Sequence, residues 1–87
     1  MNILLNGIGG HMGREVARLA SAGYRGASLA VGVDPNADGS EAPVSVKGFG
    51  EIITLGEVDC IVDFSHHSCV SDLLDFAVEN NIPTVVC

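Results

Sequence analysis

Gly7-Ile8-Gly9-Gly10-His11-Met12-Gly13 is the stretch on which the reading of this chain turns. It follows the apolar run Ile3-Leu4-Leu5 and opens a segment of helical periodicity, so the glycines fall where a strand turns sharply into a helix. Gly7 suits the tight turn, Gly9 and Gly10 offer no side chain to hold a pyrophosphate off the backbone, and Gly13 lets the helix pack closely on the strand. Free N–H groups at the helix start, together with the positive end of its dipole, then face the anion. A glycine-rich turn can also exist for packing alone. What tips the balance is Asp34, which ends the next apolar run, Ser28 to Val33, about 20 residues past the last motif glycine, where an acid can accept from ribose hydroxyls. A bound dinucleotide is therefore the expectation.

Outward from that stretch the periodicity alternates between two kinds. Asn2 to Leu5 is short and uniformly apolar, as in the buried centre of a parallel sheet. From Gly10 to Ala22, the residues Met12, Val16, Leu19 and Ala20 recur at spacings of three and four, which predicts an amphipathic helix stopped by Gly23. Ser28 to Val33 is the second strand, and Asp34 to Ser40 has turn chemistry throughout. Val44-Ser45-Val46 suits a short third strand, and Glu51 to Leu55 at most a short helix. Glu57 to Phe64 is the next strand, with Cys60, Ile61 and Val62 as its buried run. A second amphipathic helix is expected from Cys69 to Glu79, with Val70, Leu73, Leu74, Ala77 and Val78 inward. Asn80 or Asn81 can take the left-handed cap, Pro83 forbids continuation, and Thr84 to Cys87 starts another strand. Two βαβ units with a glycine turn at the first predict an α/β fold, a Rossmann-like doubly wound parallel sheet with its ligand beyond the carboxyl ends of the strands.

Four basic against eleven acidic residues give a net charge of −7, which disfavours nonspecific binding to nucleic acid or to an anionic membrane. No apolar run approaches the roughly 20 residues that cross a bilayer. Three cysteines without a basic-then-apolar leader predict a reduced, cytoplasmic protein. Residues 1–87 read as the front part of a longer protein, an NAD(P)-binding domain incomplete at its carboxyl end, because the apolar run Thr84-Val85-Val86-Cys87 stops without a turn.

The glycine stretch, the later Asp59-Cys60-Ile61-Val62-Asp63-Phe64-Ser65, and the helix before Ile82-Pro83-Thr84-Val85-Val86 together resemble the 4-hydroxy-tetrahydrodipicolinate reductase family, long called dihydrodipicolinate reductases. The resemblance covers essentially the whole chain and implies the amino-terminal part of that family's cofactor domain. Carried across, it implies that Gly7, Ile8, Gly9, Gly10, His11, Met12 and Gly13 form the phosphate loop, that Asp34 holds the adenosine ribose, and that Phe64 and Ser65 lie beside the nicotinamide half. It further implies reduction of 4-hydroxy-tetrahydrodipicolinate by NADH or NADPH in lysine and diaminopimelate biosynthesis. The substrate domain, the catalytic residues and a homotetramer are expected outside these residues. Two departures bear on the cofactor. His11 stands where the family often has a basic residue, and Pro35 stands where it often has Arg after the ribose acid, so NADH is expected to be preferred over NADPH.

His66-His67 is not the family's catalytic histidine pair, which belongs to the later domain; the expectation is a solvated loop at a helix start. No C-x-x-C occurs and the cysteines are far apart, so no metal site is expected. Cys69, near a helix start, reads as a packing residue, and Asp59 and Asp63 as strand-opening and loop-forming residues rather than an acid pair. Two other functions fit the same fold: another dehydrogenase, or a non-catalytic module that senses NAD(H).

Overall fold

The computed structural model describes residues 1–40, 42–52, 56–65 and 70–87. Five parallel strands form one sheet: β1 (Asn2–Asn6), β2 (Ser28–Val33), β3 (Val44–Val46), β4 (Cys60–Asp63) and β5 (Thr84–Val86), in the order β3-β2-β1-β4-β5. Among the described residues two α-helices, α1 (His11–Ser21) and α2 (Val70–Asn80), pack with the sheet. The chain thus builds outward from β1 to one edge and then returns to β1's other side, and this reversal lies between β1 and β4. The fold is a Rossmann-like α/β domain, as the alternating periodicities require.

Alternate residues of the central strand separate two apolar cores. Leu4 packs with Val31, Val33, Ile61 and the α2 residues Leu73 and Ala77, while Leu5 packs with Ile8, Leu29 and Ala20 of α1. One helix therefore covers each face of the sheet, which is why the centre of β1, Ile3 to Leu5, is apolar throughout. Burying each such aliphatic side chain contributes about 1.5–3 kcal/mol.

Both helices are narrower on their inner side than their periodicity suggests. Met12 is 54% exposed, Leu74 46% and Val78 75%, against the expectation that all three face inward. Met12 belongs to the first turn, next to the glycine loop. On α2 the inward stripe is Leu73, Phe76 and Ala77, and a step of one residue turns Leu74 and Val78 about 100° away from it. Cys60 and Val62 are only partly buried, and β4 begins at Cys60 rather than Glu57.

Helix ends follow the local chemistry. Gly23, at φ 76°, ends α1 in the left-handed conformation. Asn81 does the same for α2 at φ 54°, where Ile82 N–H donates to the Ala77 carbonyl at 3.0 Å and Asn80 Nδ2 to the Phe76 carbonyl at 2.9 Å. The helix expected near Glu51 is a single 3₁₀ turn, Phe49–Glu51, starting two residues earlier; the remainder of that expectation, residues 53–55, lies outside the described residues. Among the described residues no helix is long and apolar enough to cross a membrane.

Candidate nucleotide site

The loops that follow β1, β2 and β4 meet at the carboxyl edge of the sheet, beside the reversal. They enclose a cleft of about 270 Å³ lined by Gly7 and Gly10 from the first loop, Asp34, Pro35 and Asn36 from the second, and Phe64 and Ser65 from the third. Open parallel sheets bind ligands at this place because the strands on either side lead away from each other.

Each glycine of the first loop is there for a different reason. Gly7 has φ 84°, and a Cβ on it would lie 2.8 Å from the Phe64 carbonyl carbon and the Ser65 nitrogen, so the first and third loops touch through bare backbone. Its N–H donates to the Val33 carbonyl at 2.7 Å. A Cβ on Gly13 would run into the Gly7 carbonyl oxygen, which is the close helix-to-strand approach the sequence implies. A Cβ on Gly9 would stand 2.9 Å from Asp34 Oδ2. The room at Gly9 thus serves the approach of Asp34. Gly10 is the N-cap of α1 with φ −76° and ψ 170°, an extended conformation open to any residue, and its nearest neighbour would be the Gly7 oxygen at 3.4 Å. The space in front of Gly10 is therefore not used by the fold.

The remaining loop residues divide between core and surface. The side chain of Ile8 is 1% exposed and packs in the α1 core against Gly32, so only its backbone faces the loop. His11 and Met12 are exposed at the start of α1. No side-chain cap and no acidic residue occupy the first turn of that helix, which leaves its dipole uncompensated there.

Asp34 is 8% exposed. Its Oδ2 accepts from Gly9 N–H at 2.9 Å and its Oδ1 from Asn36 N–H at 2.8 Å, so the carboxylate is held rigidly between the first and second loops. The Gly9 and Gly10 amides are themselves engaged, the latter with the Gly7 carbonyl at 3.1 Å. An anion at this helix end must therefore be met by amides of the first helical turn, His11 to Gly13, rather than by those of the two preceding glycines.

Two buried polar residues are joined in a way the sequence did not show. Asn6, 4% exposed, and Asp63, 1% exposed, are register partners at the ends of β1 and β4. Asn6 Nδ2 donates to Asp63 Oδ1 at 3.0 Å and to Ser65 Oγ at 3.1 Å. The same Oδ1 accepts from Ser65 N–H at 3.0 Å and from Ser65 Oγ–H at 2.5 Å. Among the described residues Asp63 Oδ2 is buried with no partner, at a cost of about 1–3 kcal/mol for an unsatisfied group. The signal was present: both residues interrupt an apolar run immediately before a cleft loop. Asp63 does form the loop, as expected, and Asp59 stands directly before β4, also as expected, where its side chain accepts from Asn2 N–H at 2.7 Å.

Lys47 directly follows β3, whose Val46 pairs with Val33 and accepts from Asp34 N–H at 3.0 Å. It lines a smaller hollow of about 140 Å³ with Asn6, Val33, Pro35 and Phe49. Strand pairing thus brings Lys47 next to the second loop, which the sequence alone left separated from it. A larger hollow of about 390 Å³ beyond the Phe49 turn carries Asp72, Asp75 and Glu79, whose charges would repel a dinucleotide. His66, His67, Ser68 and Cys69 lie outside the described residues, and among those described no group of three His, Cys, Asp or Glu side chains could hold a metal ion.

The family described as "Dihydrodipicolinate reductase, N-terminus" matches residues 1–87. The chain belongs to this family. Its relatives include 4-hydroxy-tetrahydrodipicolinate reductases of Exiguobacterium sp., 37% identical over 99% of this chain, of Clostridium novyi, 31% identical over 98%, and of Caldanaerobacter subterraneus, 32% identical over 99%. The alignments cover 30%, 32% and 33% of those proteins, so this family member spans about a third of the length of the curated relatives it matches. Family membership accounts for the glycine turn, the parallel sheet and the Asp-Phe-Ser loop together.

Proposed function

We propose that these 87 residues are the nicotinamide-dinucleotide-binding part of a reductase acting on 4-hydroxy-tetrahydrodipicolinate. The observation that carries the reading is the convergence of Gly10, Asp34 and Phe64-Ser65 on one cleft at the sheet reversal. Its chemistry fits a dinucleotide: an uncapped helix start for the pyrophosphate, a fixed buried carboxylate for ribose hydroxyls, and an aromatic and a hydroxyl residue for the far half. When bound, the dinucleotide supplies the hydride that reduces a cyclic C=N bond. The chain's own part is to bind and orient. Gly10 and the His11–Gly13 amides receive the pyrophosphate, Asp34 accepts from the ribose, and Phe64 with Ser65 walls the nicotinamide side. Substrate carboxylates and proton transfer fall to residues outside this chain, in a cytoplasmic homotetramer.

NADH is the preferred form. A 2′-phosphate at the Asp34 carboxylate meets a like charge, worth about 4 kcal/mol at 4 Å and an effective dielectric of 20, and Pro35 supplies neither charge nor N–H donor. Titration of the chain with NADH and NADPH by calorimetry tests the reading. Saturable binding of NADH with no reductase turnover by the 87 residues alone is expected; absence of binding to either form overturns it.

A further inference from the structure

We infer that Asn6 and Asp63 are positioning residues of the nucleotide cleft: their side-chain bridge across the β1/β4 seam sets the Phe64-Ser65 loop against Gly7. The inference rests on the nucleotide reading above and assigns it two residues that never line the 270 Å³ cleft themselves.

The geometry is specific. Asn6 and Asp63 are the last register pair of two adjacent strands, and beyond them the chain leaves the sheet as the first and third loops. A single oxygen, Asp63 Oδ1, gathers the Asn6 amide, the Ser65 N–H and the Ser65 hydroxyl. The bonds to Ser65 wind residues 63–65 into a turn of the kind an aspartate forms with the backbone two residues on. The bond to Asn6 fixes that turn relative to β1. A Cβ on Gly7 would stand 2.8 Å from the Phe64 carbonyl carbon and the Ser65 nitrogen, so the turn is seated against the bare backbone of the first loop.

A second observation separates this arrangement from ordinary packing. The seam is otherwise apolar, with Leu4, Leu5 and Ile61 fully buried beside it. An aspartate there leaves Oδ2 buried without a donor among the described residues, and a fold selected for stability alone is better served by an apolar pair at these two positions. The cost is understandable if the fixed turn is what the residues provide.

The consequence is unequal along the ligand. Phe64 and Ser65 face the nicotinamide half, whereas Asp34 is held by Gly9 and Asn36, neither of which bonds to Asn6, Asp63 or Ser65 among the interactions that fix it. The test is calorimetric titration of the full chain with NADH and, separately, with ADP, for the unaltered sequence, Asn6→Ala and Asp63→Asn. The expected result is an NADH Kd raised roughly tenfold in each variant, as misplacement of a positioned group allows, with the ADP Kd changed less than about twofold. Asn6→Ala decides the question if Asp63→Asn does not fold, since it removes only the bridge and leaves the Asp63–Ser65 turn in place. An unchanged NADH Kd, or a parallel weakening of NADH and ADP, overturns the inference and leaves the pair a purely structural one. If the unaltered chain binds neither ligand, the nucleotide reading fails and the inference falls with it.

Discussion

Gly7 and Gly10 belong to one loop and answer to different constraints, one from the fold and, on the proposed reading, one from the ligand. Gly7 combines φ 84° with backbone 2.8 Å from any Cβ, so Gly7→Ala should destabilise the chain by about 1–3 kcal/mol in urea denaturation. Gly10→Ala has neither obstacle and should leave stability within about 1 kcal/mol of the original, since an extended backbone accepts Ala and the unfolded chain loses freedom. Its NADH affinity should nevertheless fall by at least about tenfold, because the new methyl group would stand where the proposed reading places the pyrophosphate. An unchanged Kd with an unchanged fold would mean that the open space at Gly10 has no ligand. Cofactor choice also sits at this scale. On the proposed reading Asp34 would repel a 2′-phosphate and Lys47, brought alongside by β3, would attract it. Pro35→Arg should narrow the preference for NADH and Lys47→Gln should widen it, as read from the two dissociation constants at fixed salt. A Lys47→Gln chain with unaltered NADPH affinity would remove that lysine from the account.

At the scale of elements, the end of α2 is decided by one backbone angle. Asn81 at φ 54° lets Ile82 N–H reach back to Ala77, and this closes the helix one residue before the chain enters the turn to β5. Asn81→Val should cost about 1–2 kcal/mol, the penalty of a β-branched residue in the left-handed region, whereas Asn81→Gly should be neutral or slightly stabilising. Thermal melts of the two variants separate a conformational cause from loss of a side-chain contact, since both remove the amide. At β4 the element itself explains the chemistry of Cys60. Partial burial pushes its thiol pKa up, and the neighbouring Asp59 charge adds to this. The neutral thiol is thus favoured in the folded chain, and Cys60 should be alkylated by iodoacetamide at pH 8 more slowly than the exposed Cys87, by mass spectrometry of quenched samples.

For the molecule as a whole, the charge balance opposes the proposed ligand. A net charge of −7 repels a dinucleotide at long range, while helix-end amides attract it at contact. Salt screens the first more than the second, since the Debye length shrinks from about 30 Å at 0.01 M to about 8 Å at 0.15 M. NADH association with this chain should therefore speed up as salt rises over that range in stopped-flow fluorescence, the reverse of a cationic site. A rate that falls with salt would show that Lys47, His11 or another local cation governs the approach.

Much of this architecture was legible in the residues because its determinants are local. Uniform apolar runs give buried parallel strands, three-and-four spacing gives α1 and α2, and Gly23 and Asn81 mark helix ends by the backbone angles they accept. Gly7, Asp34 and Phe64-Ser65 could be placed at one edge because parallel strands put all following loops on the same side. What tertiary structure alone decided depends on neighbours distant in the chain. That Gly9 makes room for Asp34, that Ile8 turns into the core, and that Leu74 and Val78 face out all follow from which surfaces meet. The pairing of Asn6 with Asp63 is of the same kind: each is visible in the sequence as a polar residue ending an apolar run, and only the adjacency of β1 and β4 converts the two into a buried bridge. Periodicity fixes which way a side chain points from its own element, whereas hydrogen-bond partners across 57 residues of sequence are set by the order of strands in the sheet.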